Sequence, residues 1–116
     1  HLMENLIYNE LRMRGYSVDV GQVTQNTKNA NGISERKQLE VDFVCNRGQD
    51  RIYIQSAYAL PSEEKTKQEL RSLEQIKDSF LKVVIVGGMQ PTFRNDDGIL
   101  ILNIFDFLLN RSGQNL

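Results

Sequence analysis

Residues 36–58 read RKQLEVDFVCNRGQDRIYIQSAY, two apolar runs parted by a short polar break. In the first run Leu39, Val41, Phe43 and Cys45 alternate with Glu40 and Asp42. That is the two-residue period of a β-strand, and it predicts the apolar set on one face and both acids on the other. Residues 51–58 form a second run rich in β-formers. Arg47-Gly48-Gln49-Asp50 between them is a tight connection, so the two runs predict an antiparallel hairpin. Closing it through 47–50 brings Asp42 and Gln55 close to opposite each other, with the register left open.

Toward the N-terminus, residues 2–14 place Met3, Leu6, Ile7 and Leu11 at helical spacing. Gly15 after Arg12 and Arg14 suits a helix C-terminus. Tyr16, Val18 and Val20 alternate with small or polar residues, predicting a strand over 16–23. Residues 24–35, TQNTKNANGISE, are polar and Asn-rich, and predict a loop with a turn at Asn31-Gly32. Toward the C-terminus, Ser62 reads as an N-cap with Glu63 and Glu64 in the first turn. The helix it opens is predicted to run to Asp78 with Leu70, Leu73 and Ile76 buried. LKVVIV at 81–86 reads as a strand buried on both faces. Gly87-Gly88 ends it. ILIL at 99–102 is a short strand, and 104–109 a short helix before a frayed tail. The predicted order is α-β-β-β-α-β-β-α, an α/β fold with a mixed central sheet flanked by helices.

The chain has 116 residues, 40% hydrophobic and 25% charged, which suits one globular domain spanning 1–116. No apolar run approaches the roughly 20 residues that span a bilayer, and no signal peptide is visible. A lone Cys45 excludes an internal disulfide and fits the cytoplasm. The net charge of −1 gives no support to a dedicated nucleic-acid binder. The chain opens on His1 and enters a helical pattern with no capping residue, which predicts a fragment cut from a longer protein, the alternative being a tag remnant joined to a native start.

Glu40 and Asp42 are the sharpest chemical feature. Two carboxylates at i and i+2 on a strand share a face and can hold a hard cation such as Mg²⁺. Taken alone, the pattern favours a half-exposed strand with a polar outer face. Gln55 reads as a strand polar residue or as an amide held against Asp42 or the backbone. Glu4 lies at the rim of the first helix's apolar stripe. Glu10 falls inside that stripe and is assigned a structural role. Cys45 alternates with core residues and reads as a small buried hydrophobe. Zinc spacing, a nucleophile elbow, a Walker A loop and a dinucleotide fingerprint are all missing.

Three segments recur in order: Glu4 to Leu11 with Arg14-Gly15-Tyr16, then Glu40-Val41-Asp42-Phe43-Val44, then Tyr53-Ile54-Gln55. Together they resemble the C-terminal domain, of uncharacterised function, of a large bacterial and archaeal family of AAA+ ATP-binding proteins. Leu73 to Val86 and Gly98 to Leu108 fit the same family, so the resemblance covers nearly the whole chain. Members of that family look like relatives of the PD-(D/E)XK nucleases, with a restriction-endonuclease-like core. The resemblance implies a Mg²⁺ site built from a helix Glu, a strand Asp, and a Glu-x-Lys, in which the Lys helps activate water. Carried over, Glu4 matches the helix acid and Asp42 the strand Asp. Gln55 stands where the second acid belongs and Ala57 where the Lys belongs. Lys37 and Lys67 are conceivable substitutes.

The departure removes one anionic ligand and the activating amine. It predicts a non-catalytic accessory domain that needs no cofactor of its own. Its partner would be an N-terminal ATPase module of the same chain, and its role recognition of a partner or of DNA. Two other readings stand beside it: a working Mg²⁺-dependent nuclease using Glu4, Glu40 and Asp42, and a plain interaction domain with no site. Fold alone does not choose among them.

Overall fold

The computed structural model describes residues 2–116. Helix α1 (Leu2–Met13) leads into β1 (Ser17–Lys28), β2 (Ser34–Arg47) and β3 (Asp50–Ala57). Helix α2 (Glu63–Gln75), β4 (Leu81–Val86), β5 (Phe93–Arg94), β6 (Leu100–Asn103) and α3 (Ile104–Leu108) follow. The six strands form one sheet in the order β1-β2-β3-β4-β6-β5. β1 through β3 are antiparallel neighbours, β3-β4 and β4-β6 are parallel, and β5 is antiparallel to β6. The sheet is therefore mixed, as expected, with one short strand more than the sequence pattern foresees.

The parallel centre is buried on both faces. Val83 and Ile85 face a core with Ile7 and Leu11 of α1 and with Ile104 and Phe107 of α3. Val84 and Val86 face a second core with Leu70 and Leu73 of α2. Alternation along a strand sends successive side chains to opposite faces, so a wholly apolar strand belongs where both faces are covered. Each large aliphatic side chain so buried stabilises by about 1.5–3 kcal/mol. The result is three layers: α1 and α3, the sheet, and α2.

Strand β2 departs from simple alternation. Asp19 pairs with Val44 and Gly21 with Val41, so Asp42 and Phe43 together oppose the single residue Val20. That extra residue is a β-bulge. It corrects the expected single apolar face. Leu39 and Val41 pack in the α2 core, while Phe43 and Cys45 pack in the α1 core. The bulge inverts the pattern between them.

The polar segment 24–35 is also corrected. It is mostly strand, because β1 and β2 pair from Thr24↔Gln38 out to Lys28↔Ser34. This hairpin forms an arm of a molecule whose extents are 47 × 35 × 26 Å. Its turn forms around Asn29, whose side chain accepts from the backbone nitrogens of Asn31 and Ile33, with Gly32 at φ 75. A backbone so paired with itself needs no apolar pattern, which is why composition reads it as a loop. Helix α2 ends at Gln75, three residues before the expected Asp78. The side chain of Asp78 instead accepts from Tyr53 Oη at 2.5 Å and from the backbone nitrogen of Phe80 at 3.0 Å. Leu6 is 46% exposed, so the buried stripe of α1 is Ile7 and Leu11.

Candidate functional site

The sequence-derived site lies where β2 and β3 part. Their pairing runs from Arg47↔Asp50 to Phe43↔Ile54 and stops there, at the bulge. Beyond it the main-chain ladder is replaced by side chains. The Asp42 nitrogen donates to Gln55 Oε1 at 2.6 Å. In return, Asp42 Oδ2 accepts from the Ser56 nitrogen at 2.8 Å and from Ser56 Oγ at 3.0 Å. Buried backbone groups must find partners, and here two strand side chains supply them. The expectation that Asp42 and Gln55 face each other is met, with Gln55 holding the backbone of Asp42.

Alternation from Tyr53 and Ala57, both in the α2 core, puts Gln55 on the α2 side of β3. Ser56 falls on the α1 side by the same rule. A pocket of about 350 Å³ opens beside Gln55, lined by Asp42, Glu40, Gly21 and Ser72 among others. Glu40 itself is exposed. Glu4 belongs to a different depression. It lines a cleft of about 330 Å³ with Met3, Ser56, Ala57, Lys65 and Glu69. This cleft lies where β3 ends and α2 begins, the carboxyl side of the parallel strands where open α/β sheets bind ligands.

The structure therefore joins Asp42 to Gln55 and places Glu40 beside the same pocket, while Glu4 lines the neighbouring cleft, of which Ser56 is also a wall. Among the described residues no three of His, Cys, Asp and Glu gather as a metal-binding group. His1 lies outside the described residues. Ala57, where the resemblance calls for a Lys, is buried. Lys37 pairs with Gln25 on the arm, and Lys67 is not part of the cleft lining. The ammonium that does line the cleft is that of Lys65, with Glu69 Oε1 at 3.7 Å. Sequence reasoning missed both Lys65 and Ser56. The available signals were position: Lys65 three residues past an N-cap that follows β3, and Ser56 directly after Gln55.

Groups outside the cleft have structural assignments. Glu10 Oε1 accepts from Arg14 Nε at 3.0 Å, which bears out its structural role. Arg14 also donates to the carbonyls of Phe107 and Leu116 and stacks 4.4 Å from the Phe107 ring centre. Cys45 is fully buried, and burial first, with Asp19 adding to it, pushes its thiol up to about 12. Such a thiol stays protonated and inert at neutral pH, as the core reading expects.

A three-layer α/β domain with a mixed sheet, a sealed strand fork and a cleft at the strand ends is the class defined here. The chain belongs to the DUF4143 family, described as a domain of unknown function, whose model matches residues 1–107. An uncharacterised protein of Haemophilus influenzae is 31% identical over 107 residues, 92% of this chain and 22% of that protein. The chain thus spans about a fifth of that relative's length. No helix among the described residues is long and apolar enough to cross a membrane.

Proposed function

We propose that this chain is a non-catalytic accessory domain of a longer cytoplasmic AAA+ ATP-binding protein, built on a PD-(D/E)XK nuclease-like core. In this reading the ATPase module lies elsewhere in the polypeptide, and the domain serves recognition of a partner or of DNA. One observation carries the proposal. Two of the oxygens that a nuclease would offer to Mg²⁺ help to close the sheet: Asp42 Oδ2 accepts twice from Ser56, and Gln55 Oε1 accepts from the Asp42 backbone. Ala57 adds no amine, and a neutral carboxamide is a weaker ligand for a hard cation than a carboxylate. The length of the Haemophilus influenzae relative supports a larger parent.

A second reading has one observation in its favour. Lys65 shares the cleft with Glu4 and Ser56 and could supply the missing ammonium to a Mg²⁺-dependent nuclease. Plasmid nicking with Mg²⁺ and with Mn²⁺, run beside Asp42→Ala and Lys65→Ala, separates the two. Background-level nicking by all three proteins is the expected result. Cleavage by the parent chain that both substitutions abolish would overturn the accessory reading.

A further inference from the structure

Beyond the packing of Val23, Leu39 and Val41 in the α2 core, the arm is hydrogen-bonded to the far end of α2 through the side chain of Gln25. Gln25 Nε2 donates to the Gln75 carbonyl at 2.8 Å, and the Lys77 nitrogen donates to Gln25 Oε1 at 2.8 Å. The carboxamide thus satisfies one of the carbonyls that a helix end leaves without a partner. At the base of the arm lies the pocket lined by Val20, Gly21, Glu40, Asp42 and Gln55 of the sheet and by Ser72 of α2. The arm's base is the irregular part of both strands. Gly21 has φ 113, and the bulge in β2 falls on Asp42 and Phe43. Asp42 therefore belongs at once to the pivot of the arm and to the seal with Gln55 and Ser56.

We propose that the arm is a latched lever whose undocking from α2 opens the fork between β2 and β3. With Gln25 seated, β2 is held in the path that places the Asp42 nitrogen against Gln55. When a partner draws the arm off α2, β2 turns at its bulge and that bond is lost. The Gln55 carboxamide oxygen, which the docked state spends on the Asp42 backbone, is then released into the pocket, and the hold of the Asp42 carboxylate on Ser56 is loosened with it. The device holds whether or not the domain is an accessory module.

Residue-resolved amide hydrogen exchange on the whole chain tests the coupling. Gln25→Ala removes both latch bonds and is expected to speed exchange at the arm amides 24–28 and at Asp42 and Ser56 by about tenfold, the scale of one or two hydrogen bonds. Ile54 and Val84 should keep their protection. Coupling is reciprocal, so Gln55→Ala, which breaks the seal from the other end, should speed the arm amides by a similar factor. Faster arm exchange with unchanged Asp42 and Ser56 amides in the first variant would overturn the lever. So would a uniform rise that includes Ile54 and Val84 in both variants, or an unaltered arm in the second.

Discussion

Gln55 holds the backbone of Asp42 just beyond the last rung of the β2-β3 ladder, its carboxamide oxygen 2.6 Å from the Asp42 nitrogen. The Asp42 carboxylate reaches the opposite way to Ser56. The exchange makes each residue a structural partner before it is anything else, and it sets the first prediction. Asp42→Ala should destabilise the chain by about 2–3 kcal/mol, because Ser56 loses a charged acceptor for two donors. Asp42→Asn keeps an acceptor oxygen and should cost less, about 1 kcal/mol. Urea unfolding of both variants is the check. Equal stability of Asp42→Ala and the parent chain would show that the seal holds nothing.

Gly87 makes a second prediction, one of space. It follows β4, and a methyl group there would lie 2.9 Å from the Tyr58 carbonyl oxygen and 3.3 Å from Met3 Sδ. The carbonyl is backbone and cannot swing aside. Gly87→Ala should therefore destabilise by about 1–3 kcal/mol, the usual scale of overpacking. A thermal melt suffices to read it. Gly48→Ala, at the β2-β3 turn, meets no atom but has φ 62, so its cost comes from backbone strain alone.

Arg14 should prove the more important member of its ion pair. Its guanidinium serves Glu10, two carbonyls and the face of Phe107 together. Arg14→Lys keeps the charge but loses the planar fork, and about 1–3 kcal/mol with it. Glu10→Gln removes only a part-exposed ion pair and should cost under about 1 kcal/mol. Denaturant midpoints that fall equally in the two variants would contradict this ranking.

Alkaline pH should unfold the chain through three buried acids. Burial raises the Cys45 thiol from 9.0 to about 12. Burial also raises Tyr16, partly offset by the Arg47 guanidinium stacked 4.2 Å from its ring centre. Tyr53 is raised by burial and then by its hydrogen bond to Asp78. In each case the folded chain holds its proton more tightly than the unfolded chain. Stability is then fully present below the unfolded value and is lost as pH rises through the folded one. For Cys45 that window is pH 9 to about 12. Cys45→Ala should flatten the fall in unfolding free energy across it, and an unchanged slope would exclude the thiol as a contributor.

The legible parts of this fold are those where burial writes a pattern. Strand β4 was visible because both its faces are covered, and Ser62 because a cap must carry an oxygen, which accepts here from the Lys65 nitrogen. The arm was not visible, since Thr24 to Lys28 gain their order from pairing and from Gln25, interactions that polar composition conceals. Strand β5 is two residues long and has no period to read. Within the site, the meeting of Asp42 and Gln55 followed from the hairpin alone. Lys65 did not, because its approach to Glu4 depends on how α2 returns over the end of β3.

The bulge at Asp42 and Phe43 has a consequence for how the chain can change. It puts the outer half of β2 out of step with the inner half. Loss of one residue there would hand Leu39 and Val41 to the face Glu40 now occupies, and carry Glu40 among Leu70 and Leu73 of the α2 core. No substitution within the segment could do as much. Along the outer half of this strand the count of residues is therefore a constraint in its own right, separate from the constraint on their identity.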